Sequence, residues 1–215
     1  YKLYDAWSYS TIATSIQRST RAHAFGYKKG HSVEDLFSLL FELTCYASRW
    51  EGVGLWMFMM DVEAAFDSVR HHDVLDTFQS AGASPHQLLS MARAMADTNV
   101  LLEIPGVTSF GPMAMTKALK TGGKTEPDKF VRMFESLVDL CLVEWDLLGV
   151  GFQLPDTGVR ITCASWVDNN FILARSWEEG EFMTRTLTDL MQDKYGWKWK
   201  RDSLDILVVN DTADL

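Results

Sequence analysis

Residues 33–50 place apolar side chains at helical spacing, with Val33, Leu36, Phe37, Leu40, Leu43 and Ala47 on one face. Ser32 stands ahead of them as an N-cap. Gly52 and Gly54 end the periodicity, and residues 55–60 follow as an unbroken apolar run, LWMFMM. That length and composition predict a strand buried on both faces, delivering Asp61 at its exit. Helical patterns follow at residues 73–81 and 85–96, the second with Ser84 as N-cap and Pro85 at the first helical position. A short strand is expected at 100–104. Pro127 opens a long amphipathic helix that ends near Gly149. Two strands, 159–166 and 171–174, then flank Val167-Asp168-Asn169-Asn170 as a hairpin with a polar tip. Ser176 and Glu179 form a capping box for a helix stopping at Gly196. A last pair of strands is expected at 197–200 and 204–209.

Strands interleaved with long helices predict an α+β molecule, in α/β-type layers, with a mixed sheet. The chain has 215 residues, 47% of them hydrophobic and 23% charged. That suits one globular domain or two packed subdomains and excludes a disordered chain. No apolar run reaches membrane-spanning length, so no membrane is expected as a partner. Cys45, Cys141 and Cys163 are few and set in apolar stretches, which reads as core packing, without a disulfide framework or zinc site. No signal peptide precedes Tyr1, so an intracellular, reducing compartment is expected, nuclear or cytoplasmic. The absence of an initial Met suggests a piece of a longer polyprotein with flanking domains.

The chemistry concentrates at Asp61 and Asp168, one at the exit of a buried strand and one at a hairpin tip. Two carboxylates held rigidly in this way offer hard oxygens to Mg²⁺, which binds one or two protein carboxylates together with substrate phosphates. Metals on such a pair can activate a 3′-hydroxyl and stabilise a leaving pyrophosphate. The plainer alternative is that Asp61 caps a helix and Asp168 sits in an ordinary turn.

The words around the two residues resemble the motifs of reverse transcriptases of the non-LTR retrotransposon type. MFMMDVEAAFDSV is similar to motif A (Asp, four residues, Phe, Asp). The resemblance implies Asp61 as metal ligand, the main-chain carbonyl of Val62 as a further ligand, and Phe66 as the steric gate that selects deoxynucleotides. HAFGYKKGHSVEDL resembles the fingers segment, which implies that Lys28 and Lys29 face template or incoming triphosphate. ALKTGGKTEPDKF follows the frame of motif B: Gly122, Pro127 and Phe130 keep register, with Thr121 in place of Gln and Glu126 in place of Ser. SWVDNNFILA stands where motif C (Tyr-Ala-Asp-Asp) is expected. There Asp168 keeps the first Asp, Trp166 replaces the Tyr and Asn169 the second Asp. YGWKWKRDSLDILV resembles motif D, with Ser203 where the family has a Lys; Lys198 or Lys200 could substitute only by moving.

All five motifs occur in family order between Ala24 and Val209. They imply fingers and palm with a mixed, mainly antiparallel palm sheet packed on helices and the thumb missing. Residues 1–50 would be fingers-like, and 51–215 palm-like with inserted fingers elements. The implied activity is RNA-directed DNA polymerisation by two-metal nucleotidyl transfer, with Mg²⁺ or Mn²⁺ as cofactor. RNA template, DNA primer and deoxynucleotides are the implied partners, with Asp61, Asp168 and Asn169 as the catalytic set.

Two features pull the other way. The altered positions at Thr121, Glu126, Asn169 and Ser203 point to an impaired enzyme, or to an inactive remnant kept as a folded interaction module. The formal net charge of −9 also sits badly with a nucleic-acid role, because phosphate polymers are gripped by Lys and Arg clusters. Three further readings are weaker. Residues 118–125 fit a relaxed P-loop pattern, but Ala118 replaces its first Gly and Pro127 interrupts the following helix. A nucleotidyl cyclase would share the palm architecture, since fold alone does not fix chemistry. His71 and His72 could bind metal but are expected in a solvated turn.

Overall fold

The computed structural model describes residues 23–28, 30–96, 99–102, 110–119 and 125–210. They group into two compact units, one within residues 64–133 and the other within 23–63 and 134–210. This grouping differs from a division at residue 50, because the first helix packs with the sheet.

In the sheet-bearing unit, helix α1 (Val33–Arg49) starts at a reciprocal capping box. The Ser32 hydroxyl accepts the Asp35 N–H at 3.4 Å, and the Asp35 carboxylate accepts the Ser32 N–H at 2.6 Å. Leu36, Leu40, Leu43 and Ala47 are buried. Phe37 is not with them: it is 60% exposed. One step along a helix turns the side chain by about 100°, so Phe37 falls outside the stripe of Leu36 and Leu40 and joins exposed Phe41 on the outer face. Asn210 closes the other end of α1, its Nδ2 donating to the carbonyls of Ala47 at 2.6 Å and Trp50 at 3.3 Å.

Strand β1 (Leu55–Asp61) is covered on both faces, which explains its unbroken hydrophobicity. Leu55 and Met57 join the α1 side chains in the core, together with Phe152, Ala164 and Leu173. Trp56 and Phe58 meet the ring of Trp177 at centroid distances of 5.9 and 5.6 Å. The sheet is four-stranded and antiparallel, in the order β6 (Cys163–Trp166), β7 (Asn169–Ala174), β1, β8 (Asp205–Val209). A parallel bridge from Ala24 to Ser165 extends it beyond β6. The fold is thus the expected α+β arrangement of a mixed, mainly antiparallel sheet between helices.

Helix α6 (Trp177–Tyr195) lies on this sheet through Gly180, Met183, Leu187 and Met191, all buried. Gly180 is required by close approach, for a Cβ there would come within 1.9 Å of Phe58 Cε2. Ser176 caps α6, accepting the Glu179 N–H at 3.3 Å. The reciprocal half of the expected box is not formed: the Glu179 carboxylate instead accepts N–H groups of Arg175 at 3.1 Å and Gly151 at 3.3 Å.

Three further expectations change. The stretch 159–166 is broken, with β5 (Arg160–Ile161) pairing to β4 (Phe152–Gln153) and only β6 joining the main sheet. Residues 197–200 form no strand; Trp199 makes an isolated bridge with Val62, and β8 pairs with β1. The hairpin turn has two residues, Val167 and Asp168, so Asn169 and Asn170 belong to β7.

The other unit contains α2 (Ala65–Ser68), α3 (His71–Ser80), α4 (Pro85–Ala96), the hairpin β2 (Asn99–Leu102) with β3 (Phe110–Ala114), and the start of α5 (Glu126–Leu148). Ser84 and Gln87 cap α4 reciprocally. Helix α3 begins at His71, two residues earlier than its apolar pattern. His71 is not in a solvated turn, since its Nε2 lies 3.0 Å from the Ala118 carbonyl and its N–H donates to Thr116. His72 is 65% exposed and sits against Asp73, which Arg70 also binds. The last two residues of the strand expected at 100–104, Glu103 and Ile104, lie outside the described residues.

Candidate active site

Asp61 ends one central strand and Asp168 begins the approach to the other. Across β1 and β7, Asp61 is the direct partner of Asn169 and Met60 of Asn170. One residue further on, the Val62 N–H donates to the Asp168 carbonyl at 3.1 Å. Asp61, Val62, Asp168 and Asn169 are therefore brought together at one end of the sheet.

The main chain of Asp61 is clamped from the β8 side. Its carbonyl accepts the Lys200 N–H at 2.8 Å, and its N–H donates to Ser203 Oγ at 3.2 Å. Ser203 thus serves the backbone of the strand and is not a free proton donor. The side chain of Lys200 reaches the site without any chain movement: its Nζ is 3.5 Å from Asp61 Oδ2. Asp61 Oδ1 is buried and has no hydrogen-bond partner among the described residues.

Asp168 is half-buried, and burial is the main reason its carboxyl is held above the ordinary range. The charge of Asp61 pushes the same way, while a backbone N–H bond and the Lys200 charge pull it down. Its carbonyl also accepts Asn170 Nδ2 at 2.9 Å. Asn170 is 3% exposed, and its own Oδ1 is another buried oxygen without a partner among the described residues. Asn169 is exposed on β7. Val167, first in the turn, has φ +58°, a rare conformation for a β-branched residue, and such outliers gather at functional sites.

The donors fit a hard divalent cation as far as they go. They are two carboxylates and a side-chain amide oxygen, with one carboxylate oxygen buried and unpartnered among the described residues and the other carboxylate destabilised by burial and, less, by its neighbour's charge. Among the described residues no three His, Cys, Asp or Glu side chains are grouped to hold a metal. The remaining coordination positions would fall to water or phosphate oxygens, as is usual for Mg²⁺.

Other expected site residues are placed as follows. Phe66 is half-buried in the first unit; its ring centroid is 5.8 Å from that of Phe130, tilted by 31°. Lys28 is half-buried, and its carbonyl accepts the His31 N–H at 3.1 Å. Lys29, Thr121 and Gly122 lie outside the described residues. Glu126 is buried in an ion pair with Lys129, whose Nζ is 2.8 Å from Oε1 and whose side chain is 2% exposed. The carboxylate that stands at the motif B Ser position is therefore engaged internally. Asn170, which no motif singles out, joins the site through its buried side chain; a polar residue two places along the strand from Asp168 is the signal for it in the sequence.

No protein-family model matches the sequence, and no curated protein matches it. Solved structures do match in fold. Apo telomerase from Candida tropicalis aligns over 97% of this chain with TM-score 0.69 and 8% identity. The form truncated of its C-terminal domain aligns over 99% with TM-score 0.64 and 9% identity. Telomerase from Candida albicans, in complex with a TWJ fragment of telomeric RNA, aligns over 98% with TM-score 0.63 and 10% identity. The chain spans 42%, 37% and 35% of the truncated C. tropicalis, full C. tropicalis and C. albicans chains, respectively. At such identity the likeness is one of fold, and the fold is reverse-transcriptase-like. Among the described residues no helix is long and apolar enough to cross a membrane.

Proposed function

We propose that this chain is the fingers and palm of an RNA-directed DNA polymerase of non-LTR retroelement lineage, working with a reduced catalytic set. The observation that carries the reading is the meeting of Asp61 and Asp168 at adjoining strand ends, with Asp61 Oδ1 buried and unpartnered among the described residues. A buried carboxylate oxygen without a partner is costly unless something positive occupies its lone pairs. Lys200 neutralises the charge only from the Oδ2 side. The telomerase neighbour solved with an RNA fragment supports an RNA partner.

In the proposed reaction a primer 3′-hydroxyl attacks the α-phosphate of a deoxynucleoside triphosphate, and pyrophosphate leaves. A bound Mg²⁺ or Mn²⁺ would supply Lewis acidity to the hydroxyl and charge neutralisation to the phosphates. Asp61 and Asp168 would hold it, Asn169 would contribute a weaker amide oxygen, and Val62 a main-chain carbonyl. Lys200 adds positive charge beside Asp61. Phe66 would select deoxynucleotides, and Lys28 and Lys29 would face template or triphosphate. Such work on an RNA template belongs in the nucleus or cytoplasm. The buried Glu126–Lys129 pair and the engaged Ser203 favour the second reading, a folded module without catalysis.

Single-turnover addition to a DNA primer on an RNA template separates the two. With Mg²⁺ or Mn²⁺ present, the first nucleotides are added without processivity, and Asp61→Ala abolishes the addition. Absence of any Asp61-dependent addition with either metal would leave the non-catalytic module as the reading.

A further inference from the structure

The hairpin that carries Asp168 is braced from outside the sheet. Residues 23–25 run parallel to β6: the Ser165 N–H donates to the His23 carbonyl at 2.9 Å, and the Phe25 N–H to the Ser165 carbonyl at 3.0 Å. Ala24 is 1% exposed, and the Phe25 ring meets His31 edge-on at 5.4 Å. The next residue, Gly26, is buried against the turn itself. A Cβ at position 26 would lie 2.7 Å from Val167 N and 2.9 Å from Val167 Cγ2. The φ of Gly26 is not in the left-handed region, so space alone excludes a side chain here. What would have to give way is backbone, at the residue already holding φ +58°.

We propose that Gly26 is a positioning residue for Asp168: by lying flush against Val167 it fixes the strained first half of the turn and so sets where the next residue presents its carboxylate beside Asp61. The path is short. Gly26 touches Val167, Asp168 follows it in the chain, and the Asp168 carbonyl is tied to the Val62 N–H. A mere packing glycine would alter stability and leave the carboxylate pair unchanged. The proposal rests on reading Asp61 and Asp168 as the cation site, and the experiment keeps the two apart.

Mn²⁺ affinity and melting temperature are measured on the full chain, well below melting, so that all protein counted is folded. The variants are Gly26→Ala, Gly26→Ala with Val167→Gly, Val167→Ala, Gly151→Ala and Asp168→Asn. Residues that orient metal ligands indirectly cost about 10- to 100-fold in affinity when changed, so Gly26→Ala should weaken Mn²⁺ binding by about tenfold or more. Adding Val167→Gly removes the Cγ2 half of the clash and lets the turn backbone yield to the other half, so it recovers part of that loss. Gly151→Ala is the stability control. Its Cβ would lie 2.7 Å from Cγ2 of Thr162, which precedes β6 at the end away from the turn, and φ there is +116°. It should lower the melting temperature and leave Mn²⁺ affinity unchanged.

If Gly26→Ala does not fold, Val167→Ala tests the same contact from the other side and should weaken Mn²⁺ binding severalfold. Wild-type affinity in Gly26→Ala, or in Val167→Ala where that stands in for it, overturns the positioning role while Asp168→Asn still shows a loss. Equal affinity losses in Gly151→Ala and Gly26→Ala also overturn it. Unchanged Mn²⁺ affinity in Asp168→Asn overturns the underlying cation site and the positioning role with it.

Discussion

Replacing Asn169 by Asp tests whether the end of the sheet is built around facing acidic groups. Asn169 is the direct cross-strand partner of Asp61, which places the two Cβ atoms about 4.5–5.5 Å apart. Two carboxylates about 5 Å apart repel by about 0.8 kcal/mol in bulk water and by about 3 kcal/mol at an effective dielectric near 20. Asn169 is exposed, so the lower end applies, and Lys200 beside Asp61 offsets part of it. A metal-free Asn169→Asp protein should therefore lose about 0.5 kcal/mol, a fall of about 1–2 °C in melting temperature for a chain of this size. The repulsion raises the pKa of the pair in the folded state, so the penalty appears as pH rises through the carboxylate range and vanishes below it. Added Mn²⁺ should invert the ranking, because a cation gains from the third carboxylate what the apo protein loses. Thermal melts with and without Mn²⁺, across acidic to neutral pH, read both effects. A variant that melts like the parent at every pH and gains no Mn²⁺ affinity would show that residues 61 and 169 do not act on one site.

Other perturbations have definite signs. Asp168→Asn should raise the metal-free melting temperature at neutral pH: the carboxyl's raised pKa means that its ionisation costs stability as pH rises through it, so the gain disappears on acidification. Gly180→Ala should cost about 1–3 kcal/mol by thermal or denaturant unfolding, since the new Cβ meets the Phe58 ring; Phe58→Leu should restore part of it. Cys141 and Cys163 are buried with thiols pushed up to about 12, so in native protein at mildly alkaline pH a chromogenic thiol reagent should label Cys45 first and those two only on unfolding. Ser203→Lys should lower activity and stability together, because the hydroxyl it removes bonds the main chain of Asp61.

The sequence made the central strand and its cargo legible because both signals are local. LWMFMM has no polar position, so it must be covered on both faces, and the residue at its exit is at the sheet's end wherever the strand lies. The Ser32 cap and the Pro85 start were equally local. What failed depended on partners distant in sequence. Phe37 fits a loose apolar face, and only the packing of Leu36 and Leu40 on β1 and β7 shows which side of α1 is inward. Asn169 reads as part of the polar tip in the sequence; pairing with Trp166 and Asp61 draws it into β7. Glu179 follows Ser176 at capping-box spacing, yet Arg175 and Gly151 compete for its carboxylate and win. At the candidate site, Asp61 and Asp168 were legible from position and motif. The bonds of Ser203, the reach of Lys200 and the close approach of Gly26 follow from how β8 and the 23–26 segment meet the sheet, and no spacing in the chain encodes that.

On the proposed function, Asp61 and Asp168 share one divalent ion. Mn²⁺ titration of the metal-free chain, followed by the loss of the free-ion paramagnetic signal with Mg²⁺ as competitor, tests it directly. A Mg²⁺-competable site is expected, weakened about tenfold or more by either Asp61→Asn or Asp168→Asn, with the double variant no worse than the weaker single, as for two ligands acting as a unit. Mn²⁺ binding that survives both substitutions, or that responds to one and ignores the other, would contradict it.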